Sequence, residues 1–177
     1  PNTKNLQAAV LEFIFERLRA WYSDQGIQSD VFMAVDAMRP GSPLEFEARI
    51  NAVNNFIRRP QAKGLAAANK RVSNILQKTD HDSAQQIQTV LLKEPAELAL
   101  FAALQKVQSN VLPLFAANDF DGALGAMAEL DTVVDNFFDQ VMVNVEDADL
   151  RSNRLTLLQQ LRQLFLRVAD ISLLQNV

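Results

Sequence analysis

Apolar residues recur along the chain at intervals of three and four with polar residues between them, and the strict alternation of a half-buried strand is missing. The pattern predicts an all-α fold. A first helix is expected over about Leu6 to Tyr22, with Leu6, Val10, Phe13, Ile14, Leu18 and Trp21 on its buried side and Ser23-Asp24-Gln25-Gly26 ending it. A second, short helix follows Ser29 as N-cap, buries Val31, Phe32, Val35 and Met38, and stops at Pro40. Ser42-Pro43-Leu44-Glu45 joins three start signals: a capping serine, a proline at the first helical position and a glutamate placed for a capping box. The helix it opens should reach about Arg58, and Pro60 separates it from the next, over about Gln61 to Lys78.

A polar connection from Thr79 to about Ser83 comes next, and Pro95 after Glu94 starts another helix. Leu100, Leu104, Val107, Val111 and Leu114 form one face of it. Asn118 is expected to cap the following helix, whose stripe of Phe120, Leu124, Met127, Val134, Phe137 and Val141 breaks near Asp131 into two pieces. A final helix carries Leu157, Leu161, Leu164, Val168 and Ile171 inward, leaving Gln159, Arg162, Gln163 and Arg167 to water. Residues 1–60 then read as a helical extension and 61–177 as a bundle.

Composition narrows the chemistry. With 177 residues, 49% of them hydrophobic, the chain can fill one sizeable core. No run approaches the roughly 18 uninterrupted apolar residues of a spanning helix, so a cytoplasmic protein without a membrane partner is expected. Starting at Pro1, the chain is expected to be a piece of something longer. Cysteine is absent and His81, in Thr79-Asp80-His81-Asp82, is the only histidine. Disulfides, thiolate metal sites and histidine-centred triads are therefore excluded within this chain, and no catalytic, cofactor or metal residues are assigned. Most Asp and Glu fall at helix starts or on solvent-facing positions, and the five glycines make no phosphate-cradling loop.

A net charge of −4 argues against a nucleic-acid partner only as an average. Arg49, Arg58, Arg59, Lys63, Lys70, Arg71 and Lys78 run without an intervening acid. Between Lys106 and Arg151 there is no basic residue, and acids from Asp119 to Asp149 crowd together. At about 100° per residue, Lys70, Arg71, Asn74 and Lys78 share one helix face, opposite Leu65, Ala68, Val72, Ile75 and Leu76. Such a ridge can hold phosphates through its cations and reach a base through Asn74; an ordinary solvated face has the same spacing. Trp21, Tyr22 and Phe138 are rings on which an unpaired base can stack, although rings at such positions are more often core.

Three segments carry a resemblance: Ala67-Ala68-Asn69-Lys70-Arg71-Val72-Ser73-Asn74-Ile75-Leu76, Phe137-Phe138-Asp139-Gln140-Val141-Met142-Val143, and Asn153-Arg154-Leu155 onward to Leu174-Gln175. Together with Arg39-Pro40 and Pro43 to Arg49 upstream, they resemble the C-terminal region of bacterial glycyl-tRNA synthetase beta subunits over almost the whole chain. Asp149-Leu150-Arg151 before Arg154-Leu155 is similar to the signature of the DALR anticodon-binding domain, shared with arginyl-tRNA synthetases. The run reads Asp147-Ala148-Asp149-Leu150-Arg151 here, so either aspartate can take the family's part.

The resemblance implies a helical anticodon-binding bundle in an assembly of two alpha and two beta subunits. In it the alpha subunit would activate glycine with ATP and magnesium, while this chain, with the rest of the beta subunit, holds glycine tRNA. Lys70, Arg71 and Lys78 are the candidates for phosphate contact, Asn74 for a base or ribose edge, and Arg151 with Arg154 for a second backbone contact or a structural ion pair beside Glu146, Asp147 and Asp149. Two rivals stand against it. One is a helical protein-interaction module without direct RNA contact; the other is a hydrolase or transferase using paired carboxylates, which would need an enclosed cleft holding two of them.

Overall fold

Helix starts in this chain are written by short polar side chains, and the computed structural model shows them in use. It describes residues 3–79, 86–175 and 177, with side chains of the first helix given at position 10 and from 13 onward. Among the described residues there are eight α-helices and no strand: α1 (Thr3–Asp24), α2 (Ser29–Asp36), α3 (Pro43–Phe56), α4 (Ala62–Gln77), α5 (Pro95–Ala116), α6 (Phe120–Met127), α7 (Asp131–Gln140) and α8 (Ala148–Leu166). The expected all-α architecture is the observed one. Short 3-10 turns stand before α5, between α6 and α7, and after α8. His81 lies outside the described residues.

Ser42 Oγ accepts the Glu45 N–H at 3.2 Å, with Pro43 in the first turn as expected. Glu45 does not close the box on Ser42; its carboxylate takes the Gly41 N–H at 3.3 Å and the Arg49 Nε at 2.9 Å. A reciprocal box forms instead at α5, where Glu97 accepts the Glu94 N–H at 2.8 Å. The cap of α6 is Asp119, which accepts the Gly122 N–H at 2.8 Å, and not Asn118. Asn118 adopts φ 55°, the left-handed geometry that asparagine tolerates, and turns the chain between α5 and α6. Asp147 caps α8 through the N–H groups of Asp149 and Leu150, so part of the crowded acidity is capping chemistry.

The bundle is built in one continuous core that runs from Tyr22 to Leu174. α3 lies along α6, and α5 packs on α6, α7 and α8. The faces expected of α4, α5 and the α6–α7 pair are largely the ones buried: Leu65, Ala68 and Val72; Leu100, Leu104, Val107 and Val111; Leu124, Met127, Val134 and Phe137. Ile75 and Leu76 of α4 are only half-buried, and Ile75 borders the basic ridge it was expected to oppose. The stripe breaks where expected, at the turn Ala128–Leu130 ahead of Asp131. α8 differs from the others because Asn153 to Leu158 are all buried, so neighbours surround its first half. Asn153 takes the Gln88 N–H at 2.7 Å and returns a bond to the Gln88 carbonyl at 3.1 Å, which pins the approach to α5.

The segment after α8 returns to α2 and α3. Asp170 N–H donates to the Ala34 carbonyl, Gln175 N–H to Asp30, and Arg49 reaches the carbonyls of Arg167 and Val168 at 2.6 Å each. The first helix departs most from expectation. Val10, Phe13, Ile14 and Trp21 are exposed; α1 docks through Leu18, as expected, together with Phe15 and Tyr22, and Tyr22, Phe32 and Phe46 form an aromatic cluster at 5.3–6.0 Å between centroids. Leu6 lies among the side chains not described. By length and mean hydropathy of 1.2, α5 alone among the described helices could cross a bilayer. Here it packs against three helices with the fully buried Glu97 in its first turn.

Candidate nucleic-acid interface

α4 sorts its residues by face. Leu65, Ala66, Ala68, Asn69 and Val72 point into the bundle, and Lys70, Arg71, Asn74 and Lys78 stand in water. These four, with Ala67, Ile75 and Thr79, form one wall of an open cleft of about 520 Å³. Asn144, on the segment between α7 and α8, lines it as well. Because the side chains hang from one rigid helix, their spacing is fixed by its rise of about 1.5 Å per residue, which puts Lys70 and Lys78 roughly 12 Å apart along the axis.

Among the described residues, Lys70, Arg71 and Lys78 meet no carboxylate within ion-pair distance. Arg71 stacks on Phe138 of α7, its guanidinium carbon 4.3 Å from the ring centroid. The rest of the basic run is divided. Arg49 bonds Glu45 at 2.7 Å and covers Phe120, and Arg59 stands 3.7 Å from Asp121. Arg58 and Lys63 are exposed. The acids of α7 begin at the opposite end of α4, where an Asp131 oxygen lies over Gly64. That is seven residues, about 10 Å, from Arg71 along the helix. Burial, with the Asp135 charge second, pushes the Asp131 carboxyl above its ordinary range.

The other two arginines lie elsewhere and are engaged. Arg154 is buried, donates from Nε to Glu97 at 2.6 Å and from Nη1 to the Met142 carbonyl at 2.7 Å. This is the ion-pair role offered to it, but with Glu97 as partner, a carboxylate that sequence position had placed among solvated helix starts. Glu97 also accepts the N–H groups of Lys93 and Glu94 at 2.8 Å. Burial alone would raise its carboxyl; Arg154 and the two backbone donors outweigh burial and hold it below the usual range. Arg151 is half-buried and gives its guanidinium to the Val145 carbonyl at 2.5 Å, closing the turn ahead of α8.

Four of the six candidate side chains therefore gather on one cleft. Asn144 was missed because it sits in an irregular segment with no periodicity to mark it. Among the described residues no group of three or more His, Asp or Glu is arranged to hold a metal ion. The cleft offers cations, amides and a guanidinium over a ring, groups that bind and orient an anion-rich ligand.

The DALR anticodon binding domain family matches residues 65–174. Proteins named glycine–tRNA ligase beta subunit are similar over nearly the whole chain. That of Ectopseudomonas mendocina is 52% identical over 169 residues, 96% of this chain and 25% of its own length. Those of Mannheimia succiniciproducens and Shewanella oneidensis are 51% and 52% identical over 97% of this chain and 25% of their own lengths. The chain spans about a quarter of the relatives it matches.

Proposed function

The chain belongs to the DALR anticodon-binding family, and from that premise we propose that it is the anticodon-reading part of a glycine–tRNA ligase beta subunit. Residues 61–177 form the reading bundle and residues 1–60 a helical extension fused to it through the shared core. Lys70, Arg71 and Lys78 draw in the phosphates of a folded RNA, and Asn74 meets a base or ribose edge. Glycine, ATP and magnesium are handled by an alpha subunit in a cytoplasmic assembly of two alpha and two beta chains. This chain supplies binding energy remote from the chemistry, fixing the tRNA so that its acceptor end reaches that centre.

One observation carries the reading: an open cleft whose cations, all from one face of α4, are left unneutralised by the described residues of a protein that is acidic overall. Cations scattered for solubility would not converge in this way, and cations serving the fold would be paired, as Arg49 and Arg154 are. Replacing Lys70, Arg71 and Lys78 together by alanine should weaken binding of a glycine tRNA transcript and flatten its salt dependence by about two to three units of slope. Filter binding across a salt series measures both, and unchanged binding removes this face from consideration.

The exposed apolar side of α1 favours a second reading, a module that binds protein and no RNA. A transcript with an altered anticodon separates the two. An RNA-reading chain binds it more weakly than the native transcript, and a protein module distinguishes neither.

A further inference from the structure

Arg71 is held differently from the lysines beside it. Its guanidinium rests against Phe138, while the side chain as a whole stays exposed. Arg49 and Arg39 also cover rings, but each has a carboxylate partner, Glu45 at 2.7 Å and Asp36 at 3.5 Å; Arg167 and Arg17 cover Phe115 and Phe13 without an ion pair among the described residues, but neither lines this cleft. Arg71 has neither an ion pair nor a hydrogen bond among the described residues. Phe138 is itself braced edge-on by Phe137, at 5.6 Å and 80°, and Phe137 is fully buried. The result is a guanidinium placed over a supported ring, on a side chain that lines the cleft. A charge needed only to attract phosphate gains nothing from such a seat; the mobile ammoniums of Lys70 and Lys78 serve that purpose.

A planar guanidinium with one face covered and one open is a surface on which an unpaired base stacks, the usual way a protein takes hold of a single-stranded RNA loop. Around it the cleft provides two amides, Asn74 from α4 and Asn144 from the segment after α7, neither bonded to any described residue. Each presents a donor and an acceptor side by side, the pattern that reads the edge of a base. We propose that Arg71, seated on Phe138, is the stacking platform for one unpaired base of the bound RNA loop, and that Asn74 and Asn144 read that base's edge. This rests on the reading of the α4 face as RNA-binding, and it gives Arg71 a role other than phosphate contact.

Charge and shape separate the roles. Arg71→Lys keeps the positive charge and removes the plane, so binding of the glycine tRNA transcript should fall about tenfold with the salt slope unchanged. Lys70→Ala with Lys78→Ala should instead lower the slope by about two units. Asn144→Ala should narrow the preference for the native transcript over one with substituted anticodon-loop bases. Arg167→Lys is the control, because Arg167 covers Phe115 at 3.9 Å away from this cleft and should leave binding unchanged. If Arg71→Lys binds like the parent chain while Arg71→Ala loses a unit of slope, Arg71 is a phosphate contact, and the platform is refuted with the RNA reading intact. An equal loss in Arg167→Lys likewise overturns the platform, tracing the effect to stability. If no variant of the cleft changes binding, the lysine pair included, both readings fall together.

Discussion

Arg154 and Glu97 form a salt bridge at 2.6 Å with both side chains almost wholly removed from water, one on α8 and the other in the first turn of α5. The same carboxylate caps α5 and the same guanidinium holds the Met142 carbonyl, so one pair fixes two helices and the segment between α7 and α8. Arg154→Ala leaves a buried carboxylate without its counter-charge and should cost about 3–5 kcal/mol in urea unfolding. A loss below about 1 kcal/mol would show that water or rearrangement replaces the guanidinium.

Acid should act through this pair and through Asp170. Burial would raise Asp170, but bonds from Arg162 at 2.9 Å and from Ser172 outweigh it and hold the carboxyl low. A carboxyl whose folded pKa is depressed contributes stability that is complete above its unfolded value and is lost as pH falls through the folded one. Stability should therefore stay level from neutrality down to about pH 5 and decline below the ordinary carboxylate range. Asp131 opposes this trend, because its raised pKa favours folding as the proton binds. Urea midpoints over a pH series test the sum, and stability that climbs steadily below pH 5 would contradict it.

Gly64 and Asp131 should prove coupled. A Cβ at position 64 would lie 2.5 Å from an Asp131 oxygen. Gly64→Ala gains about 1 kcal/mol of helix propensity in principle, and displacement of that carboxylate offsets it. In an Asp131→Ala background the gain should appear in full, a coupling above about 0.5 kcal/mol in a double-mutant cycle. Additive effects would show that Asp131 swings aside at no cost.

The two sides of α1 should differ sharply. Phe13→Ser or Ile14→Ser removes exposed apolar surface and should change stability by no more than about 0.5 kcal/mol. Phe46→Ala opens the aromatic cluster on which α1 rests and should cost about 3–5 kcal/mol. Thermal melts of the variants decide it, and comparable losses would mean that Phe13 has a packing partner.

The outcome at α1 shows where sequence reading stops. Its stripe is as regular as that of α5, and periodicity shows that a face is apolar without saying which neighbour covers it. For α4, α5 and α6–α7 the periodic stripe and the buried face largely coincide, although Leu98 and Leu112 of α5 stand exposed, so most of the core was legible there. The α4 ridge was legible for the same reason, since Lys70, Arg71, Asn74 and Lys78 lie on the complement of that face. Asn144 and the seating of Arg71 on Phe138 depend on how α7 lies against α4, a relation between segments more than sixty residues apart. Asn118 misled because asparagine serves both caps and left-handed turns, and the neighbouring aspartate took the cap. Glu97 misled because a glutamate at a helix start is normally solvated, and only α8 packed across it brings Arg154 within reach.

Trp21 is the chain's single tryptophan, and it stands half out of α1 with Tyr22 edge-on at 4.8 Å. Its helix leans on α2 and α3, while the cleft is carved from α4 and the Asn144 segment. Indole emission is therefore a native, label-free optical reporter for the seating of the first helix, placed outside the cleft.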